Sequence, residues 1–490
     1  MANDKEQVQV DLRQQKLNRS QRRELTRRLW SADPGLTTVH PNAAGVDVGN
    51  SEHYVAVPPD RDQQAVRSFP CFTENLRQLV EWLKRCGITS VALQSTGVYW
   101  IPLYDMLEAE GFEVYLVNAQ HTKNLPGRKS DVQESQWLMK LHTYGLLNNS
   151  FRPVSEIRRL RCYWRHRAEH VQAASTSIQR MQKASTEMNL QLHNVISDLS
   201  GVTGMRILRA IVNGERDRNK LAAMRDRRVR ASEEEIAKSL EGNWRPELLF
   251  VLQQELDTYD MYQRKLTECD VEIQKQMAAM ATRPQAPLEG KLPETSTPSP
   301  KKDNKDAKKD ATKKRRGNAP AFDLRSELER VTGTDLTRIE GVDVMTTQTV
   351  ISEIGLDMSR WRTEGHFSSW LGLCPSHDIS GGKVLKRGTR KVINRAATAL
   401  RMAASTLIKS KSYLGAQYRR FRSRLGAPKA ITAMAHKLAR LIYRMLKFGE
   451  NYVAKSEAHY EAKYRESQIR FLTKKAKELG LQLAEITTTP

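Results

Sequence analysis

No stretch of this chain approaches the roughly 18 apolar residues that a membrane-spanning helix needs, and the mean hydropathy is −0.61. The opening MANDKEQVQVDLRQQKLNRSQRREL has no apolar core of the kind a secretory leader carries, so none is expected. Cysteine is scarce and unpatterned. Cys71, Cys86, Cys162, Cys269 and Cys374 are odd in number and contain no CxxC pair, which argues against a disulfide framework and a structural zinc site and for a reducing, cytoplasmic setting. No GxxxxGK[ST] phosphate loop is present. Acidic residues are also short in supply: 56 Asp and Glu face 80 Lys and Arg, a net charge of +24. With a pI near 9.8, that excess points to a polyanionic partner, nucleic acid rather than a membrane.

At 490 residues the chain has room for two or three cores. Residues 1–40 read as a polar extension. Over 41–153 strand patterns alternate with amphipathic helices: AAGVDVG, HYVAVPP, SVALQS and FEVYLVN are strands. TENLRQLVEWLKRCG is a helix with Thr73 as N-cap and Gly87 at its stop, and Ser130 opens another over SDVQESQWLMKLHTYG. This is an α/β pattern, a sheet covered by helices. Residues 154–280 are helical. Alternate steps of three and four from Ile157 to Leu199 meet only two residues that are not apolar, Arg167 and Ser185. That heptad regularity predicts a coiled coil, self-associating or antiparallel, against the simpler alternative of a long helix packed on its own domain. Arg158, Arg159, Arg161, Arg165 and Arg167 crowd its start, either to meet phosphates or as a solvated face.

Residues 281–320 hold eleven Lys/Arg, five Asp/Glu and six prolines, the composition of a disordered basic linker. From 321 to 460 a second, mainly α unit follows, then a tail over 461–490. Within it, LTRIEGVDVMTTQTVISEIG has the form helix, Gly341-centred turn, helix, either a phosphate-binding hairpin or an ordinary pair of helices.

Two constellations carry chemistry. Asp47 lies mid-strand, Gln94 ends a strand, and Asp131 and Glu134 stand three apart on one helix face. Carboxylates gathered this way suit a hard cation such as Mg²⁺; on spacing alone, Asp131 is equally a helix-dipole partner and Glu134 a surface charge. The second is SHDISGGKVLKRGTRKVINR, where Ser380 precedes two glycines. Lys383, Lys386, Arg387, Arg390, Lys391 and Arg395 fall within the next stretch. The basic run suits phosphate, and Ser380 is either a phosphate donor or a nucleophile.

Three long motifs, GVDVGNSEHYVAV, STGVYWIPLYDMLEAEGFEVYLVNAQHTKNLPGRKSDVQESQWL and WLGLCPSHDISGGKVLKRGTRKVINRA, resemble the DEDD-type transposases of the insertion-sequence-one-hundred-ten family. The closest likeness is to the subgroup with STGVYW and NAQHTKN-PGRK-D signatures. The resemblance implies an RNase H-like (RuvC-like) N-terminal domain, a coiled coil, and a serine-bearing transposase domain. It implies acids holding Mg²⁺ at Asp47, Asp131 and Glu134, Ser380 as a nucleophile forming a phosphoserine link, and a bridge RNA that pairs with donor and target DNA. Arg128, Lys129 and Gly341 join the basic run of the serine loop as expected nucleic-acid contacts, and a homo-oligomer held by the coiled coil is expected. Gln94 departs from the pattern, standing where the family usually has Glu. An amide oxygen ligates Mg²⁺ without charge and serves no base function. The alternatives are a decayed nucleic-acid-binding relative and an ATPase or sugar kinase on the same core, for which a second phosphate loop and an adenosine loop are missing.

Overall fold

AAGVDV forms β1 (Ala43–Val48), the middle strand of a five-stranded sheet in the computed structural model. Residues 37–119, 130–284, 318–390, 392–449 and 457–482 are described, as two units divided between Arg152 and Pro153. Most of the expected N-terminal extension and basic linker lies outside the described residues.

In the first unit, β2 (Glu52–Ala56) pairs antiparallel with β1, and β3 (Val66–Pro70) pairs antiparallel with β2. α1 (Thr73–Arg85) leads into β4 (Ser90–Gln94), and α2 (Trp100–Ala109) into β5 (Glu113–Val117). β4 runs parallel to β1, and β5 parallel to β4, giving the order β3-β2-β1-β4-β5. α1 buries Leu76, Leu79, Val80 and Leu83, the i, i+3, i+4, i+7 stripe of an amphipathic helix. That stripe, with Leu103 and Leu107 of α2, covers the sheet face bearing Val46, Val91 and Leu93. Thr73 is not the N-cap: the helix begins at Thr73, Phe72 precedes it, and no side chain caps it. Gly87 follows the helix at φ +67°, the left-handed closure expected there.

The opposite face is covered by α3 (Asp131–Thr143), opened by a capping box between Ser130 and Gln133. Its Leu138 packs with Ala92 and Val117. β1 and α3 approach closely at Gly45, where an added Cβ would lie 2.2 Å from the Met139 amide nitrogen. This mixed sheet with helices on both faces is consistent with an RNase H-like fold.

The second unit is mostly helical. α4 (Ser155–Glu187) is followed by the short helices α5 (Leu192–Val195), α6 (Val202–Val212), α7 (Arg218–Ala223) and α8 (Glu233–Ser239), then α9 (Pro246–Ala278). α4 and α9 run antiparallel, because Arg167 pairs with Asp270 and Arg180 with Glu255. The apolar stripe of α4 therefore buries Ile157, Leu160, Trp164 and Met181 within this chain, and covering it requires no second copy. Its two polar exceptions have local partners. Arg167 is 3% exposed and bound to Asp270 at 2.5 Å, and Ser185 donates to the Met181 carbonyl at 2.9 Å.

α10 (Leu324–Thr332), α11 (Val344–Ile354) and α12 (Glu364–Trp370) precede a two-stranded ribbon, β6 (Pro375–Ser380) and β7 (Lys383–Thr389). α13 (Arg395–Thr406), α14 (Tyr413–Leu425), α15 (Ala427–Phe448) and α16 (Glu457–Glu478) follow, so a helix occupies much of the segment expected as a tail. The basic start of α4 meets protein. Arg165 grips the Glu353 carboxylate at 2.7 and 2.8 Å, and Arg161 donates to the Ser352 and Glu353 carbonyls. These cations sit at the C-terminal end of α11, where they complement the helix dipole. No helix among the described residues is long and apolar enough to cross a membrane.

Candidate active site

Asp47 stands on β1 two residues after Gly45 and so on the same face, the one α3 covers. The last paired residues of β1 and β4 are Val46 and Leu93, which makes Asp47 and Gln94 the next neighbours along the ladder. Gln94 shares its face with Ala92, whose side chain packs toward α3. On α3, Asp131 and Glu134 occupy the first turn, and Ser135, Leu138 and His142 of the same side are buried. The close approach at Gly45 thus sets the N-terminal turn of α3 over the end of β1.

The electrostatics register this meeting. Burial pushes the Asp47 carboxyl up to about 6, and the Glu134 and Asp131 carboxylates add to the rise, while a hydrogen bond from the Val48 amide opposes it. Asp47 is half-buried, Glu134 half-buried and Asp131 exposed, so the cluster opens toward solvent at the helix end. Gln94 is 4% exposed and forms the floor. The sequence-expected quartet is brought together on one side of the sheet.

Two residues outside the expected set join it, Tyr54 and Glu52. Tyr54 faces Asp47 directly across the β1–β2 ladder, and its hydroxyl donates to Glu52 Oε1 at 3.0 Å. Glu52, through that bond and its charge, raises the phenol, and burial and the Asp131 charge add to it. The signal is present in the alternation Glu52-His53-Tyr54, which puts the two polar residues on one face of β2.

Ser380 ends β6 and pairs with Lys383 across Gly381 and Gly382, whose φ values are +55° and +80°. Two consecutive positive φ values make the two-residue turn suited to a twisted hairpin. The serine is therefore at the tip of a β-ribbon, where the sequence suggests a loop, and it is exposed together with Ile379, Val384 and Leu385. His377 lies three residues back on the same strand, with a shift of register between Asp378 and Ile379 separating it from Ser380. Lys383 and Arg395 are exposed, and Arg390 donates to the Ser369 carbonyl at 2.5 Å. Lys386 and Arg387 lie on β7 opposite Asp378 and His377. Arg128, Lys129 and Lys391 lie outside the described residues.

The Gly341 turn differs from the expected pair of helices. Its first arm is a 3-10 turn over Leu336–Arg338, and the N-terminus of α11 is capped by Asp343, which accepts from the Thr346 amide at 2.8 Å. Gly341, at φ +86°, lies against α13, where an added Cβ would be 2.9 Å from the Ala403 carbonyl oxygen.

Residues 44–189 match the family model of a DEDD transposase of the IS110 type, and residues 333–419 match that of the Transposase IS116/IS110/IS902 family. No curated protein matches the chain. The first match contains Asp47, Gln94, Asp131 and Glu134, and the second contains Gly341 and the Ser380 ribbon. The two matches, in this order along one chain, support a relationship to the IS110 family of transposases.

Proposed function

We propose that this chain cuts and rejoins donor and target DNA, using Ser380 as the nucleophile and the carboxylates around Asp47 to bind a divalent cation, with a structured bridge RNA choosing the sites. The observation that carries the reading is the carboxylate cluster. Three acids from a strand and a helix meet there: burial first, and the Glu134 and Asp131 charges after it, push the Asp47 carboxyl up to about 6, and a bound cation would offset both. All the donors are oxygen, the preference of Mg²⁺, so the residues fit the ion. Asp47, Asp131 and Glu134 would hold it, with the Gln94 amide as an uncharged donor, and bound there it would neutralise charge on the scissile phosphate.

The protein's own residues do the rest. The Ser380 oxygen attacks phosphorus, an Oγ–P bond forms, and the P–O bond to one deoxyribose breaks. The leaving oxygen takes up a proton as a free hydroxyl, and the same hydroxyl chemistry on a partner strand reverses the step. Exposure of Ser380 at a ribbon tip suits attack on a bulky backbone. The flanking cations, Lys383 and Arg395 among them, suit phosphate contacts that position DNA without reading bases. A homo-oligomer in which the serine of one protomer meets the acids of another belongs to the same proposal.

The test is DNA cleavage with Mg²⁺ and RNA transcribed from the flanks of the gene, with products run before and after protease. A protein-linked DNA band in wild type that vanishes in Ser380→Ala is expected. Cleavage that persists in Ser380→Ala, or products with no protein attached while RNA binding is intact, would overturn the serine mechanism. The decayed reading is favoured by one residue, Gln94; it gains if Gln94→Glu alone restores a linked band.

A further inference from the structure

We propose that His166, His170 and Cys269 form a second metal site, distinct from the carboxylate cluster, that takes one zinc-like divalent cation and clamps α4 to α9. One ligand atom from each of the three lies within 4.8 Å of the others. His166 and His170 are one helical turn apart on α4, with ring centroids 4.2 Å apart, and Cys269 faces them from α9. Two histidines at i, i+4 share a helix face, and a third ligand from a facing helix completes a triangle. The register that sets it is enforced next door: Arg167 and Asp270, each the immediate neighbour of a ligand, are bound at 2.5 Å in the buried seam.

The donor set selects the ion. Two imidazoles and one thiolate suit zinc or another borderline-soft cation and reject Mg²⁺ and Ca²⁺. A tetrahedral zinc with bonds of about 2.0–2.3 Å holds its ligand atoms roughly 3.5 Å apart, so closure asks for side-chain shifts of about 1 Å. Cys269 is buried, His170 half-buried and His166 exposed, which gives a bound ion a dry side and an approach from solvent. Three protein ligands leave a fourth place for water or a carboxylate. Glu169 is near, with Oε2 3.8 Å from His166 Nδ1, a charge beside the imidazole without a hydrogen bond to it. Burial holds the His170 imidazole below its ordinary range, helped by the His166 and Lys265 charges, and the neutral ring is the ligating form. Burial raises the Cys269 thiol, against which the Arg167 charge pulls it down. If the histidines were there only to pack edge-on against each other and beside Tyr262, 5.6 Å from His170, no metal would bind.

Cobalt reads this site without interference from the carboxylates, because only a thiolate gives the near-ultraviolet sulfur-to-cobalt charge-transfer band. The full chain, stripped of metal and kept reduced, is titrated with Co²⁺ and then with Zn²⁺ in competition. One equivalent of the thiolate band per chain is expected, displaced by zinc and unaffected by excess Mg²⁺. Cys269→Ser should abolish the band. His166→Ala, a surface change that leaves the helices intact by circular dichroism, should weaken cobalt binding at least ~100-fold, beyond the loss typical of an outer-shell change. Cys162→Ser, which alters the exposed cysteine one turn before His166, should leave it unchanged. Absence of the band in wild type, or its survival undiminished in Cys269→Ser or His166→Ala, overturns the proposal.

Discussion

Replacing Asp47 by Asn should stabilise the metal-free protein while abolishing its response to Mg²⁺. Burial and the Glu134 and Asp131 charges move the Asp47 carboxyl from 3.8 to about 6, so the fold favours its protonated form. A displacement of that size carries at most about 3 kcal/mol. Asp47 is only half-buried, and solvent screening reduces the figure to about 1–2 kcal/mol. Between pH 4 and pH 6 the native state binds the proton more tightly than the unfolded chain. Stability from this group is therefore present at low pH, falls as pH rises through about 6, and stays lost above it. In EDTA at pH 7.5, Asn at position 47 removes the repelling charge without the volume, and the unfolding transition of this unit should rise by roughly 2–4 °C per kcal/mol. Wild type should lose stability from pH 4.5 to 7 with a slope that the variant lacks. Adding Mg²⁺ should raise the wild-type transition by mass action and leave the variant where it was. The assay is calorimetry of the full chain at several pH values with EDTA or Mg²⁺. A variant less stable than wild type in EDTA, or one that still gains from Mg²⁺, refutes the electrostatic reading of the cluster.

Other consequences are equally open to measurement. Gly45→Ala should cost more than about 3 kcal/mol, because its Cβ meets the α3 backbone at 2.2 Å where no flexible side chain can yield; denaturant unfolding reads the loss, and Mg²⁺ binding should fall with it as Asp131 and Glu134 are displaced. Asp270→Ala should destabilise by about 3–5 kcal/mol by stranding the Arg167 charge in the seam, and the cost should shrink when Arg167 is replaced by Met in the same chain, which a double-mutant cycle would show. Gly382→Ala, in open space but at φ +80°, should strain the ribbon tip by about 1–2 kcal/mol; protein-linked DNA should fall several-fold while global unfolding barely moves, since the ribbon is exposed. Gln94→Glu should lower metal-free stability by about 1–3 kcal/mol, because a carboxylate at a position 4% exposed adds a buried charge, and calorimetric titration should show tighter Mg²⁺ binding.

Much of the first unit is legible in the sequence because its signals are local. β1, β4 and β5 are short apolar runs, and α1 and α3 carry stripes and stops that need no tertiary knowledge. β3 is hard to see because VRSFP is half-exposed and ends in the proline that an edge strand tolerates. The Ser380 ribbon reads as a loop for a related reason. Its strands, PSHDIS and KVLKRGT, bury none of their described side chains, so the period-2 contrast that marks a strand is faint. The stripe of α4 is visible, yet periodicity is blind to which helix covers it; α9 of the same chain does so along the seam, with α11 against Ile157 and Trp164. CxxC spacing is silent on His166, His170 and Cys269 for the same reason: it detects ligands close in sequence, whereas these three meet only once α4 and α9 pair.

Gln94 is where sequence and structure together say more than either. In sequence it is a lost charge. In the fold it is the buried floor beneath Asp47, in a cluster where two neighbouring carboxylates already help hold a third above its usual range. A glutamate there would compound that repulsion in the metal-free chain and recover it only with the cation bound. The amide keeps an oxygen donor at the same place with no charge to desolvate. The exchange therefore shifts a balance, toward a more stable empty protein with a weaker hold on its ion, and leaves the three carboxylates and the exposed serine in place. Under the proposed function, a chain with that balance should need more Mg²⁺ than its Gln94→Glu variant to give the same yield of protein-linked DNA.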